Sequence, residues 1–223
     1  MVRYYSRSQL ESIIGCNEQV LWRGKPNIIC FVLESIFNPL LPFAVLWLLF
    51  DSFFIFNFTS TKGSEQMMGF LFPFFLLHLM PVWIYIVGVL LTFLKYKNTE
   101  YLITDKRIYT SGGSVVYTEG SVSYSKITDV QIRRGFFDRK LGVGDVLIFS
   151  NSRPEWAPVT TVNGKVQRFS GYDITDIPDY RAVYNLIFNN IELQERLEEK
   201  TTENEDTDAS SFLGLYRKKK RRF

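Results

Sequence analysis

Two polar residues, Asp51 and His78, stand inside long apolar runs, and His78 is the one histidine of the 223-residue chain. An ionised aspartate at mid-bilayer costs about 2.5–3.5 kcal/mol on insertion scales, so Asp51 must lie near an interface, be neutral, or be paired. Counted from the outer ends of the runs at Phe58 and Met67, Asp51 lies 7 residues deep and His78 lies 11. That offset is about 6 Å of helix rise, which side chains can bridge. The two are read as a structural or interfacial pair, with an ion or proton path as the alternative.

Other chemistry has little to work with. With its only histidine in an apolar run, the chain has no soluble Ser/His/Asp or Cys/His arrangement. Asp105, Asp129, Asp138 and Asp145 fall in or beside expected turns, where aspartate bonds the local backbone. Gly142 and Gly144 lead into a strand rather than a helix, so they form no nucleotide-binding loop. Cys16 and Cys30 lack CxxC spacing and histidine neighbours, which suggests neither a zinc site nor a disulfide. The expectation is a protein that binds, with no enzymatic role, no cofactor and no metal.

The elements around these residues divide the chain. Residues 1–30 read as an N-terminal segment with a short helix begun by the capping-box pattern SQLE, and a short strand closed by Gly24 and Pro26. Residues 31–95 read as a two-helix transmembrane hairpin, its spans Ile36–Phe58 and Met67–Leu94 joined by a polar turn, with kinks at Pro73 and Pro81. Arg3, Arg7, Arg23 and Lys25 precede the first span, Lys95, Lys97, Lys106 and Arg107 follow the second, and Lys62 alone sits in the turn. This asymmetry puts both termini in the cytoplasm.

Residues 96–200 alternate in strand fashion from TEYLIT onward, then change period after Pro178 to an amphipathic helix reaching about Lys200. Residues 201–223 read as a disordered acidic linker and a basic tail. The tail holds Arg217, Lys218, Lys219, Lys220, Arg221 and Arg222, and these six charges turn an otherwise acidic chain into one of net +3. Such clusters near a membrane attract anionic lipid at about 1 kcal/mol per residue. A docking protein is the next partner in line, and specific nucleic-acid recognition is not expected. Arg133, Arg134, Arg139 and Lys140 surround Phe136 and Phe137. That stretch is either a membrane-dipping loop or, the favoured reading, a piece of core with solvated charges.

Two apolar spans followed by YLITDKRIYTSGG, YSKITDVQIRRGFFDRKLGVGDVLIFS and FSGYDITD resemble the bacterial pleckstrin-homology-like (bPH2-type) membrane proteins. Tyr101, Thr104, Lys106, Arg107, Ile108, Ile127, Val130, Leu141, Gly142, Gly144 and Val146 carry the likeness, and Glu18–Pro26 resembles the strand such proteins place before their first span. The resemblance implies a seven-stranded PH-like antiparallel β-sandwich capped by a C-terminal helix, and no enzymatic activity. Asn151–Lys165 and the charged C-terminus depart from the pattern. The fold class expected is therefore a membrane-anchored α+β protein. Its expected work is that of a scaffold or regulator at the cytoplasmic membrane face, meeting anionic lipid and a protein partner. An oligomeric channel or transporter subunit using Asp51 and His78 is the alternative, with self-association into a homo-oligomer.

Overall fold

A computed structural model describes residues 9–59, 65–150, 161–162, 165–166, 169–170 and 172–220. Arg3, Arg7, Lys62, Arg221, Arg222 and most of the 151–165 insertion lie outside the described residues. The side chains of residues 202–220 are likewise not described.

The chain begins with a 3₁₀ turn, Gln9–Ile13, and strand β1, Val20–Gly24. Four helices follow: α1 (Ile28–Ile36), α2 (Leu40–Thr59), α3 (Glu65–His78) and α4 (Met80–Asn98). Then come β2 (Glu100–Thr104), β3 (Arg107–Gly112), β4 (Thr118–Ser123), β5 (Ile127–Arg133), α5 (Phe136–Leu141) and β6 (Gly144–Ser150). The short strands β7 (Thr161–Val162), β8 (Lys165–Val166) and β9 (Phe169–Ser170) precede β10 (Ile174–Ile177) and α6 (Tyr180–Lys220). One antiparallel sheet has the order β1-β2-β3-β4; the other has β10-β6-β5, with β9 also paired to β6, while β7 and β8 pair with each other. The seven strands of four residues or more match the sandwich that the family resemblance implies.

β1 and β2 are neighbours in one sheet, with Gly24 opposite Tyr101, although the whole helical hairpin separates them in sequence. The hairpin is thus an insertion between adjacent strands. The N-terminal segment, expected as a unit of its own, supplies an edge strand of the β domain.

Tyr101 and Ile103 of β2 face a core shared with Val146 and Ile148 of β6 and with Val183 and Ile187 of α6. Leu102 points the other way, yet it is buried too, because Leu10 of the 3₁₀ turn and Tyr109 cover that face. β2 therefore shows no apolar–polar alternation, and the reason is this added layer.

α2 over Leu40–Phe58 and α4 over Met80–Asn98 are long and apolar enough to cross a membrane. The second apolar run was expected as one helix, Met67–Leu94, but it divides at Leu79 into α3 and α4. Pro81 is the cause, since it offers no N–H to the carbonyl four residues back and its ring crowds that turn. Pro73 lies inside α3, and the helix continues through it. The first arm is also in two parts, with Asn38 capping the start of α2 by accepting from the Leu40 N–H at 2.8 Å.

α6 continues to Lys220, where a disordered linker was expected from residue 201. Helix nucleation is the costly step, and here Tyr180, Val183 and Ile187 are already fixed in the core. Glutamate-rich sequence can then propagate the helix one hydrogen bond at a time.

Candidate membrane-facing site

The foot of the hairpin and one end of the β domain meet around α1. Asn27 caps α1, its side chain accepting from the Ile29 and Cys30 N–H groups, while its own N–H donates to the Asp176 carbonyl of β10 at 2.8 Å. α1 then lies along the C-terminal half of α4. Phe31 meets Tyr96 with ring centroids 6.1 Å apart, Ser35 and Thr92 share a hydrogen bond of 2.6 Å, and the Tyr85 hydroxyl donates to the Ile36 carbonyl. The Lys95 ammonium stands 5.5 Å from the centre of the Phe31 ring. A cavity of about 370 Å³ opens beside them, lined by Phe31, Lys95, Thr99, Ser111, Asp173 and Thr175 among others.

α5 sits at the same end. Gly142 ends it in the left-handed region, φ 73°, where glycine carries no Cβ penalty. Phe137 packs on Phe37 of the α1–α2 link at 5.4 Å, and Phe136 is 70% exposed. The two phenylalanines were expected to fill the sandwich core; one is on the surface, and the other touches the hairpin. Arg139 and Lys140 are exposed on α5, and Arg133 is exposed on the strand before it. Arg134 instead turns back, donating to the Val143 and Asp138 carbonyls with its guanidinium over Tyr180.

Lys95 and Lys97 close α4 beside this surface. Lys106 and Arg107, expected to be membrane-proximal with them, sit at the turn between β2 and β3. β2 carries the chain about 15 Å beyond the end of α4 before the turn that holds them. There Arg107 lies 3.8 Å from Glu18, and the Asp105 carboxylate accepts from the Gln19 N–H.

Asp51 and His78 do meet, with the ring Nδ1 2.8 Å from Asp51 Oδ1. Trp47 and Phe74 stack on the imidazole at centroid distances of 5.1 and 5.3 Å, and the Trp47 indole N–H donates to the His78 carbonyl. Asp51 is 1% exposed, and its Oδ2 is buried without a hydrogen-bond partner.

Sequence reasoning missed a second polar cluster, at the seam between α1 and the β domain. Asp138 and Asp145 were assigned to turns, but both are buried. Asp138 Oδ2 accepts from the Gly135 N–H at 2.6 Å, and its Oδ1 faces the Cys30 thiol at 3.2 Å. Asp145 accepts from the Asp176 N–H and pairs with Arg133 at 3.0 Å. Asp176 has φ 57°, is 2% exposed, and keeps Oδ1 buried with no hydrogen-bond partner. Cys30, Glu34, Asp138 and Asp176 each present one potential ligand atom, all within 4.8 Å of one another.

Burial, with the nearby charges of Glu34, Asp145 and Asp138, pushes the Asp176 carboxyl up to about 7 against the pull of the Cys30 thiol. Burial and the Asp138 and Asp145 charges raise Glu34, and burial raises the Cys30 thiol well above the ordinary thiol range. The one trace of this cluster in the sequence is Cys30 and Glu34 four residues apart on one helix face.

Comparison with curated proteins and with solved structures finds no match. The family profile described as bacterial PH domain matches residues 29–191, more than half of the chain. The match spans both apolar helices, the strands from β2 onward and the packed part of α6, so the chain belongs to the bacterial PH domain family.

Proposed function

We propose that this protein is a membrane-anchored PH-like binding module, a scaffold or regulator at the cytoplasmic membrane face with both termini in the cytoplasm. The observation that carries the reading is the position of α5. Phe137 rests on Phe37 at the foot of the hairpin, which puts exposed Phe136, Arg139 and Lys140 at the level where α2 begins. An aromatic ring beside cations at that level suits the headgroup region of an anionic leaflet. The tail, Arg217–Arg222, would add a second lipid contact beyond the packed part of α6, and the face of β5 that carries exposed Thr128 and Gln131 remains for a protein partner.

The test uses the full chain, because a fragment beginning at Lys95 would lack β1. Protein with and without residues 209–223 is placed in neutral and anionic nanodiscs at low and high salt, and amide exchange is followed in α5 and α6. Anionic lipid should protect both regions at low salt, with the α6 protection lost at high salt. Equal exchange in neutral and anionic discs would remove lipid from the account.

A second reading, an oligomeric channel or transporter subunit, is favoured by one observation: Asp51 Oδ2 is buried and without a hydrogen-bond partner. Substituting Asp51→Asn and measuring self-association and ion flux in liposomes separates the readings. Unchanged association and no flux in either protein would leave the pair a packing feature.

A further inference from the structure

We propose that Cys30, Glu34, Asp138 and Asp176 form a binding site for a divalent metal ion of the zinc class, which fastens α1 to the β domain. Three elements converge there: α1 gives a thiol and a carboxylate one helical turn apart, α5 gives Asp138, and β10 gives Asp176. Three of the four are buried, and Glu34 is exposed. The buried groups define the pocket, and the Glu34 side leaves an access route for the ion.

Among the described residues, the one cation that acts on the cluster is Arg133, which favours the charged form of Glu34 from beyond ion-pair distance. Arg133 is engaged by Asp145, Arg134 donates to backbone carbonyls, and among the described residues no ion pair reaches Glu34, Asp138 or Asp176. Buried carboxylates are ordinarily hydrogen-bonded, paired, or bound to a metal. Asp176 Oδ1 is none of the first two, although it is buried in a cluster whose ligand atoms lie within 4.8 Å of each other.

The outer partners are those a metal site needs. The Gly135 N–H holds Asp138 Oδ2, leaving Oδ1 to exchange its thiol contact for a metal bond. Asp176 is fixed from both sides, its N–H donating to Asp145 and its carbonyl accepting from Asn27. Metal–ligand bonds of about 2.0–2.3 Å put tetrahedral ligand atoms about 3.3–3.8 Å apart, so side-chain rotations close the remaining gap. The thiolate selects against calcium and magnesium and favours zinc or cobalt. Binding forms a metal–sulfur bond and releases the Cys30 thiol proton to solvent.

The test is a titration of chelator-treated, full-length protein in nanodiscs, with Co²⁺ as the optical probe and Zn²⁺ as competitor. The expected result is one equivalent of Co²⁺ with a thiolate-to-cobalt charge-transfer band, displaced by Zn²⁺ and not by Ca²⁺ or Mg²⁺. Zn²⁺ should also slow amide exchange across α1. Cys30→Ser should abolish the band, and Cys16→Ser should leave it unchanged. Glu34→Gln replaces an exposed side chain, so it tests the site without threatening the fold, and it should weaken Zn²⁺ binding by at least about tenfold. The proposal is overturned by the lack of a saturable band, by a band that depends on Cys16, by equal affinity in Glu34→Gln, or by displacement with Ca²⁺ as readily as with Zn²⁺.

Discussion

The hairpin and the domain seam each bury an aspartate, and they treat it in opposite ways. Asp51 meets His78 at 2.8 Å between two aromatic rings, a partner that can neutralise it. Asp176 instead meets other acids and a thiol, and Arg133, a cation at that end, is held by Asp145. A paired buried charge is costly to break, whereas a cluster of unpaired acids is strained until something positive arrives. The first arrangement holds two helices together; the second awaits a ligand.

The sharpest way to break this comparison is to remove the partner in the hairpin. His78→Ala leaves Asp51 buried with neither oxygen bonded, and should cost about 3 kcal/mol in unfolding experiments on detergent-solubilised protein. A loss below about 0.5 kcal/mol would mean that the pair contributes nothing to the hairpin.

Substituting each aspartate by asparagine sharpens the contrast, because the same change should have opposite signs. Asp51→Asn should destabilise by about 1–2 kcal/mol, since it weakens a charge-assisted hydrogen bond. Asp176→Asn, measured in chelator, should stabilise by about 0.5–1 kcal/mol. It removes repulsion from Asp138 and Asp145, and asparagine tolerates the left-handed backbone at φ 57°. Equal signs would erase the distinction between the two sites.

Metal should then reverse the second result. With Zn²⁺ at about 100 times its dissociation constant, the unsubstituted protein should gain about 2.7 kcal/mol and Asp176→Asn far less. The smallest effect is expected at α5. Phe136→Ser should change stability by less than about 0.5 kcal/mol, because the ring is 70% exposed, while loosening contact with anionic nanodiscs.

Much of the fold was legible because it rests on local pattern. The apolar runs, the Val- and Ile-rich strands bounded by turn residues, and the change of period after Pro178 each follow from short stretches. The family likeness, carried by segments such as YLITDKRIYTSGG, agrees with the family match over residues 29–191. What sequence left hidden depends on distant contacts. The pairing of β1 with β2 joins segments on either side of the hairpin, and nothing in VLWRG names its partner. The division at Leu79 was visible as Pro81, read as a kink rather than a break. The seam cluster was hidden most fully: Asp138 and Asp145 have the look of turn aspartates, and only the fold places them against Cys30 and Asp176. Helix propagation to Lys220 shows that acidic composition alone does not decide disorder when the preceding turns are fixed.

The most direct test of the central claim, that the α5 end of the β domain lies on the membrane, is a depth measurement. Nitroxide labels are placed at Phe136→Cys and, as a reference, at Lys106→Cys, in full-length Cys16→Ser protein, where the buried Cys30 thiol stays unlabelled. Power saturation with oxygen and a water-soluble nickel chelate in anionic nanodiscs then compares the two ends. The account predicts that the label at 136 is oxygen-accessible and shielded from the chelate, with the label at 106 open to water. Equal chelate accessibility at both positions would contradict it.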